Sequence, residues 1–513
     1  MKRIFSFILA LMAVQMMFAQ ITVFRVTNTD DSGEGSLRDA VNIVNALKEE
    51  TTDSFRIVFD FTTNEEHVIT LESFIYLEGS RVAIDASDCK GTVVLDGVDK
   101  SFVGLDFSIN LHNITIKALK FRNFKCGIDV NVTRNACIDG CEFESNQYGV
   151  DLGDCISEVK NCTFIGNEVG VEVSDPWILG SDDEIVNNSV NNIHDNFIGI
   201  TASNKEKGNE SGIRIVDKKP TYIYDNVICC NQYGISFFNK GCDCYIRRNY
   251  IGINKKFAAH GNTEAGISIG HNVGPIEIGS KDKADGNFIG YNKVGIVNDK
   301  GNVRTYYNYI GVTPDFEPMP NEEAGIVAQS VTSEGNYIGF NGTNGMEVTF
   351  SSTIDHDYIG GDGIHSFPNE EYGVYGTLYG KITESLIFDN KKGGVMLDYT
   401  TGGNPGTQFE YSQCLFGGDQ PFAVKRPDEN ITAPVIEKVY SDDDYIYIEG
   451  TVELLDEEKF TSTTLVLETE VTIELFSNDG GIESALRYLV STVTDAKESG
   501  CINWKNQNMP AIL

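Results

Sequence analysis

From about residue 50 to residue 430, apolar and polar residues alternate in short bursts. Cys141 and Phe143 are followed by Val150 and Leu152, and Ile267 and Ile269 by Ile276 and Ile278. Alternation with a period of two predicts short strands that bury one face. A helical period shows at Leu37, Ala40, Val41, Val44 and Leu47, which share one face behind Ser36, a residue type suited to capping a helix start.

The bursts are punctuated by two recurring phrases. One runs Asn-x-x-Gly-Ile/Val: "NQYGVDL" from Asn146, "NEVGVEV" from Asn167, "NQYGISF" from Asn231 and "NKVGIVN" from Asn292. The other reads "NFIGIT", "NYIGIN", "NFIGYN", "NYIGVT" and "NYIGFN" from Asn196, Asn249, Asn287, Asn308 and Asn336. The unit is about 21 residues, a period that marks stacked repeats. A leucine-rich repeat would need a Leu ladder and a helical return, and neither is present. Several short strands per unit predict a right-handed parallel β-helix instead. In that fold Asn146, Asn167, Asn231 and Asn292 are turn residues with left-handed backbone, stacked and hydrogen-bonded from coil to coil. Gly149, Gly170, Gly234 and Gly295 are expected to supply further positive φ.

The expected organisation has four parts. Residues 1–19 read as a signal peptide, with Lys2 and Arg3 before an apolar core and a cleavage point after Ala19. Residues 20–50 form a cap segment whose helix covers the open end of the cylinder. Residues 51–428 form the β-helix. Residues 432–513, with clean alternation in "DYIYIEGTVEL" and "TEVTIELFSND", form a β-sandwich-like domain, expected to be truncated at Leu513. No later segment is long enough to span a membrane.

The formal net charge is −35. Such a surface repels nucleic acid and anionic lipid. It suits a polysaccharide or cell-surface glycan, neutral or bridged by cations. On this reading no cofactor is required, and calcium is an optional ion. The protein is expected to be secreted or displayed on a cell surface.

Candidate chemistry is sparse. The chain has 12 cysteines. Cys141 and Cys162 lie one repeat apart and read as stacked core thiols, with disulfides and metal ligation as the other readings; "CDC" at Cys242 lacks the paired spacing of a zinc site. The densest reactive stretch is "DHDYIGGDGIH". Its Asp355, Asp357 and Asp362, with His356 or His365, could serve as general acid and base for glycoside hydrolysis, although Asp357 stands where other repeats have a turn Asn. Arg247 and Arg248 fall on adjacent, opposite-facing strand positions, so that one could act as a lyase base. Phe197, Tyr250, Phe288, Tyr309, Tyr337 and Tyr358 follow the turn Asn or Asp and are expected to point outward, as platforms for sugar rings.

"FRVTNTDDSGEGSLRDAVNIVN" (24–45), the "NYIG" units, "IEIGSKDKADGNFIGYNKVGI" (276–296) and "APVI" (433–436) resemble secreted bacterial parallel β-helix proteins of the pectin-lyase-like kind with a CSLREA-type N-terminal segment. Gly35 stands where those proteins have a leading Cys. The resemblance implies the β-helix fold and no particular activity. Two function classes stay open: a non-catalytic glycan-binding or adhesive protein, which is favoured, and a polysaccharide lyase or glycoside hydrolase working on the β-helix face.

Overall fold

The computed structural model describes residues 21–47, 54–174, 187–217, 219–238, 243–270, 276–377, 379–398, 409–412, 414–416 and 422–425, together with five later strands between 435 and 505. The expected signal peptide lies outside these residues. The chain divides into two compact units, Met1–Thr313 and Pro314–Leu513.

The first unit is a right-handed parallel β-helix of three sheets. Sheet A begins with Ile21–Val26 paired in parallel to Ser54–Phe59, and continues coil by coil to Val303–Tyr306. Sheet B runs from Glu66–Thr70 to Tyr309–Ile310, and sheet C from Ile75–Leu77 to Val294–Asn298. A single coil places Arg134–Asp139 in sheet A, Glu142–Glu144 in B and Tyr148–Gly153 in C. Parallel, in-register pairing stacks like on like inside. The rings of Phe121, Phe143 and Phe164 lie face to face at 5.1 and 4.8 Å. Ile198, Ile228, Ile251, Ile289 and Ile310 continue that column in register.

Helix α1 (Leu37–Leu47) buries Leu37, Ala40, Val41 and Val44 against the strands 21–26, 54–59 and 75–77. Ser36 Oγ accepts from Asp39 N at 3.2 Å, closing the first turn. Arg38 donates to Asp31 at 2.6 Å and to the carbonyls of Ser73 and Phe74 at 2.8 Å. The segment expected only to cap the cylinder thus also supplies the first strand of sheet A.

The second unit carries the same three-sheet coil, from Ile326–Ala328 through Val331–Glu334 and Tyr337–Ile338 to Phe422–Lys425. The later strands pair antiparallel: 435–441 with 446–453, 446–453 with 501–505, and 470–477 with 487–495.

The two sequence phrases form two buried asparagine ladders. In the first, which begins at Asn146, Asn167, Asn209, Asn231, Asn262 and Asn292 each accept at Oδ1 from Nδ2 and backbone N–H of the Asn before, at 2.8–3.2 Å, and Asn146 Oδ1 accepts from Phe124 N at 2.9 Å. Each Nδ2 also donates to a carbonyl in sheet B, as Asn146 does to Phe121 O at 3.1 Å. The second ladder links Asn196, Asn226, Asn249, Asn287 and Asn308 in the same way. Cys141 and Cys162 stand at its head: Cys162 N donates to Asn196 Oδ1 at 2.9 Å and Cys141 N to the Cys162 sulfur at 3.4 Å. Both thiols are buried and free, as expected of stacked core cysteines.

Two expectations about the turns are corrected. The left-handed backbone belongs to the residue before the ladder Asn, as at Asp195 (φ 55°), Asp225 (59°), Arg248 (53°) and Tyr307 (51°). The Asn can then point inward, where its amide meets its neighbours. Gly149, Gly170, Gly234 and Gly295 do not have positive φ. Gly149, Gly170 and Gly234 are required because coils approach closely: a Cβ on Gly234 would sit 2.5 Å from Gly266 O, one on Gly149 2.4 Å from Gly170 O and one on Gly170 2.4 Å from Gly212 O. Positive φ falls instead on the "NYIG"-type glycines Gly199, Gly252 and Gly311.

Candidate functional site

The outer face of sheet C carries a column of charged residues on consecutive coils. In register, Tyr76 pairs with Asp106, Asp106 with Asp129, Asp129 with Asp151, Asp151 with Glu172, and Glu172 with Arg214. Neighbouring parallel strands lie about 4.8 Å apart, so carboxyl groups on successive coils crowd one another. Each is half-buried and flanked by inward-facing apolar residues, such as Leu105 and Phe107 around Asp106 and Ile128 and Val130 around Asp129, which fixes it outward.

Crowding and burial reshape their protonation. Burial, helped by the charges of Asp151 and Asp106, pushes the Asp129 carboxyl up to about 7. Asp106 is raised by burial. Asp151 is raised by burial against the opposing pull of Ser174 and Arg214. Its Oδ1 is buried with no hydrogen-bond partner among the described residues, and Asp129 Oδ1 accepts from Asn131 Nδ2 at 2.6 Å. At the far end Glu172 forms an ion pair with Arg214. Arg214 Nη2 donates to the Tyr148 hydroxyl at 3.2 Å, and the guanidinium lies 5.3 Å from the centre of that ring. The column therefore offers a carboxyl that holds its proton near neutrality, carboxylates that accept one, and a cation fixed by its partner. Those are the parts of a general acid–base pair and of a hydrogen-bonding track for hydroxyl groups.

Sequence reading passed over this column. The signal is present in "GIDV", "GVDL", "GVEV" and "GIRI", where the second residue after each glycine is charged. It becomes visible once the repeats are superposed at Gly127, Gly149, Gly170 and Gly212.

The residues expected to be catalytic are not brought together. Asp357 is fully buried and serves as a rung: its Oδ1 accepts from Asn336 N at 2.7 Å and Nδ2 at 3.1 Å, and it bonds the Ser333 hydroxyl. Burial pushes its carboxyl up to about 7. Asp355 faces outward, accepts from the Thr383 hydroxyl at 2.6 Å and lies 3.2 Å from His356. Asp362 closes its own loop, accepting from Ile364 N and His365 N at 2.8 and 2.6 Å. Arg247 ends its strand and Arg248 takes the turn that follows, so they do not face opposite ways and both meet Asp285. Arg247 lies 3.1 Å from Glu277 and 3.5 Å from Asp285; Arg248 lies 3.0 Å from Asp225 and also meets Asp285.

The outward aromatics are half-buried and occupied by one another. Phe288 packs at a tilt on Tyr250 at 5.1 Å and stacks on Tyr309 at 5.8 Å, and Phe257 packs on Tyr250 and Phe288 at 5.9 and 5.4 Å. Tyr337 stacks on Tyr358 at 4.6 Å and meets Phe316 at 6.0 Å. Phe197 packs on the small cluster of Ile200, Val227 and Cys229. Their faces are largely taken up inside these stacks.

A second cluster lies on the loops that follow sheet B. Glu206, Cys230 and His260 bring a carboxylate oxygen, a thiol and an imidazole nitrogen within 4.8 Å of one another.

Among known proteins, the model of the family described as "Periplasmic copper-binding protein (NosD)" matches residues 60–265. No curated protein matches. Solved structures with a similar course include a double mutant of the tailspike protein of E. coli bacteriophage HK620 (12% identity, TM-score 0.44, covering 94% of each chain). A mutant of the periplasmic alginate epimerase AlgG has 14% identity and a TM-score of 0.39, covering 77% of this chain and 85% of that one. An alginate lyase described as PL6, in complex with a trisaccharide, has 12% identity and a TM-score of 0.31, covering 83% and 91%. At these identities the likeness concerns the fold alone. The family's description as copper-binding does not fit the expectation that no cofactor is required. Among the described residues, the Cys230 sulfur and the His260 nitrogen are donors that suit copper, and they stand together beside the Glu206 carboxylate. Among the described residues no helix is long and apolar enough to cross a membrane.

Proposed function

We propose that this is an exported, polysaccharide-binding β-helix protein whose glycan lies along the outer face of sheet C in the first unit. The observation that carries this reading is the in-register column of Asp106, Asp129, Asp151, Glu172 and Arg214. Carboxylates accept hydrogen bonds from sugar hydroxyls, and Tyr76 and Tyr148 flank the track with ring surface. The column and the net charge of −35 disfavour a polyuronate and favour a neutral, hydroxyl-rich chain. The NosD family's periplasmic description is consistent with export.

A second reading, hydrolysis of the bound glycan, is favoured by one feature: Asp129 keeps its proton near neutrality between two other carboxyl groups. Asp129 would protonate the leaving oxygen while Asp151 or Asp106, paired with it on an adjacent strand about 4.8 Å away, attacks the anomeric carbon; water, deprotonated by Asp129, then displaces that carboxylate and frees the sugar. One experiment addresses both readings. Neutral and uronate polysaccharides are screened for binding and for new reducing ends, with the wild type and with Asp129→Asn and Asp151→Asn. Neutral-glycan binding that weakens in Asp151→Asn supports the binding site. New reducing ends that vanish in Asp129→Asn establish hydrolysis. Glycan binding unaffected by either substitution removes the site from sheet C.

A further inference from the structure

We propose that Glu206, Cys230 and His260 form a binding site for a thiophilic transition-metal ion, copper or zinc. The three residues come from loops on three consecutive coils, after the sheet-B strands Phe197–Ile198, Val227–Ile228 and Tyr250–Ile251. The outer two loops share one shape. Each folds back on itself through an antiparallel bridge, Ile200 to Glu206 in one and Ile253 to Ala259 in the other. The middle coil has no such insertion and turns sharply at Cys230 (φ 60°), which leaves its thiol between its neighbours.

Backbone bonds fix the set. Cys230 N donates to His260 O, and His260 N to Gly252 O, both at 2.9 Å. Asn254 Oδ1 accepts from Lys256 N and Ala258 N at 2.8 and 3.1 Å, and its Nδ2 reaches Asn204 Oδ1 at 3.3 Å, tying the outer loops together across the middle coil. His260 Nδ1 lies 2.6 Å from Glu206 Oε1, so the imidazole is already turned toward the carboxylate. With all three donor atoms within 4.8 Å, small side-chain rotations bring them to the roughly 2.0–2.3 Å that zinc needs. One thiolate, one imidazole and one carboxylate leave a fourth position open for water or for a donor delivered by a partner. The sulfur and nitrogen donors select copper or zinc over calcium, which takes oxygen ligands.

The test uses the full exported chain, stripped with a chelator and then loaded separately with Zn2+, with Cu+ under reducing conditions, and with Ca2+. After desalting, about one equivalent of zinc or copper and no calcium should remain; competition between the two ions then identifies the preferred one. Cys230→Ser and His260→Gln should each weaken retention at least tenfold, and Cys137→Ser should not. Wild-type protein that retains neither ion, or variants that hold it as tightly as wild type, would overturn the site. If the variants fail to fold, thiol alkylation of the wild type decides. Metal should slow labelling of Cys230 and leave Cys89 unchanged; equal labelling of Cys230 with and without metal overturns the site.

Discussion

Single residues in this protein are constrained by what stands one coil away. Gly234 has an ordinary backbone and no room: a Cβ would lie 2.5 Å from Gly266 O. Gly234→Ala should therefore cost about 1–3 kcal/mol through overpacking, read from the midpoint of chemical denaturation; an unchanged midpoint would show that the coils can part without cost. Asp357 is the acid in a column of amides. Its folded-state pKa is raised from the ordinary 3.8 to about 7. Between those values the folded chain holds a proton that the unfolded chain releases, so this residue makes stability fall as pH rises from about 4 to 7. Asp357→Asn should raise the melting temperature at pH 8 and lose that advantage toward pH 4. The same gain at both pH values would mean that the carboxyl titrates normally.

At the scale of elements, the ladders are continuous hydrogen-bond systems. Asn231 accepts from Asn209 and donates to Asn262 and to Ile198 O. Its removal strands buried polar groups on both neighbouring coils, each worth about 1–3 kcal/mol. Asn231→Ala should therefore destabilise more than Asn→Ala at an exposed turn such as Asn64, with thermal melts of the two variants as the comparison. Cys141 and Cys162 continue the second ladder with sulfur in place of amide. Both should resist alkylation until the chain unfolds, a result that timed labelling with mass spectrometry checks directly. The aromatic stacks of sheet B belong to this scale too. Tyr250, Phe288 and Phe257 pack on one another and so hold the loop that carries Phe257 in place.

For the whole molecule the governing term is charge. With 75 acidic and 40 basic residues, the surface repels polyanions within a Debye length of roughly 8 Å at physiological salt. Affinity for a neutral polysaccharide should change little between low and high ionic strength. Affinity for a polyuronate should rise with salt or divalent cations as repulsion is screened. Titrations of both glycans across a salt series test this, and tight polyuronate binding at low salt would contradict the assignment of sheet C.

The repeat in the sequence is enough to dictate the coil. Each turn of about 21 residues must bury a strand face and satisfy one corner, and those demands recur, so the alternating Val and Ile, the ladder Asn and the close-packed Gly are written again each time. The cap helix was equally legible from Leu37, Ala40, Val41 and Val44 behind Ser36. Which outward residues meet depends on how the coils stack. Asp129 lies 22 residues from Asp151, but Glu172 lies 42 from Arg214, because an inserted loop adds chain without adding a coil. Register, not spacing, therefore aligns the carboxylate column. The same holds for Glu206, Cys230 and His260, which no local motif joins. It holds also for Gly149 and Gly234, whose place in the repeat suggests a special backbone conformation but whose lack of a side chain serves the close approach of coils. Contacts between coils are set by how far each loop lets the chain rise, and that quantity is not carried by any one repeat.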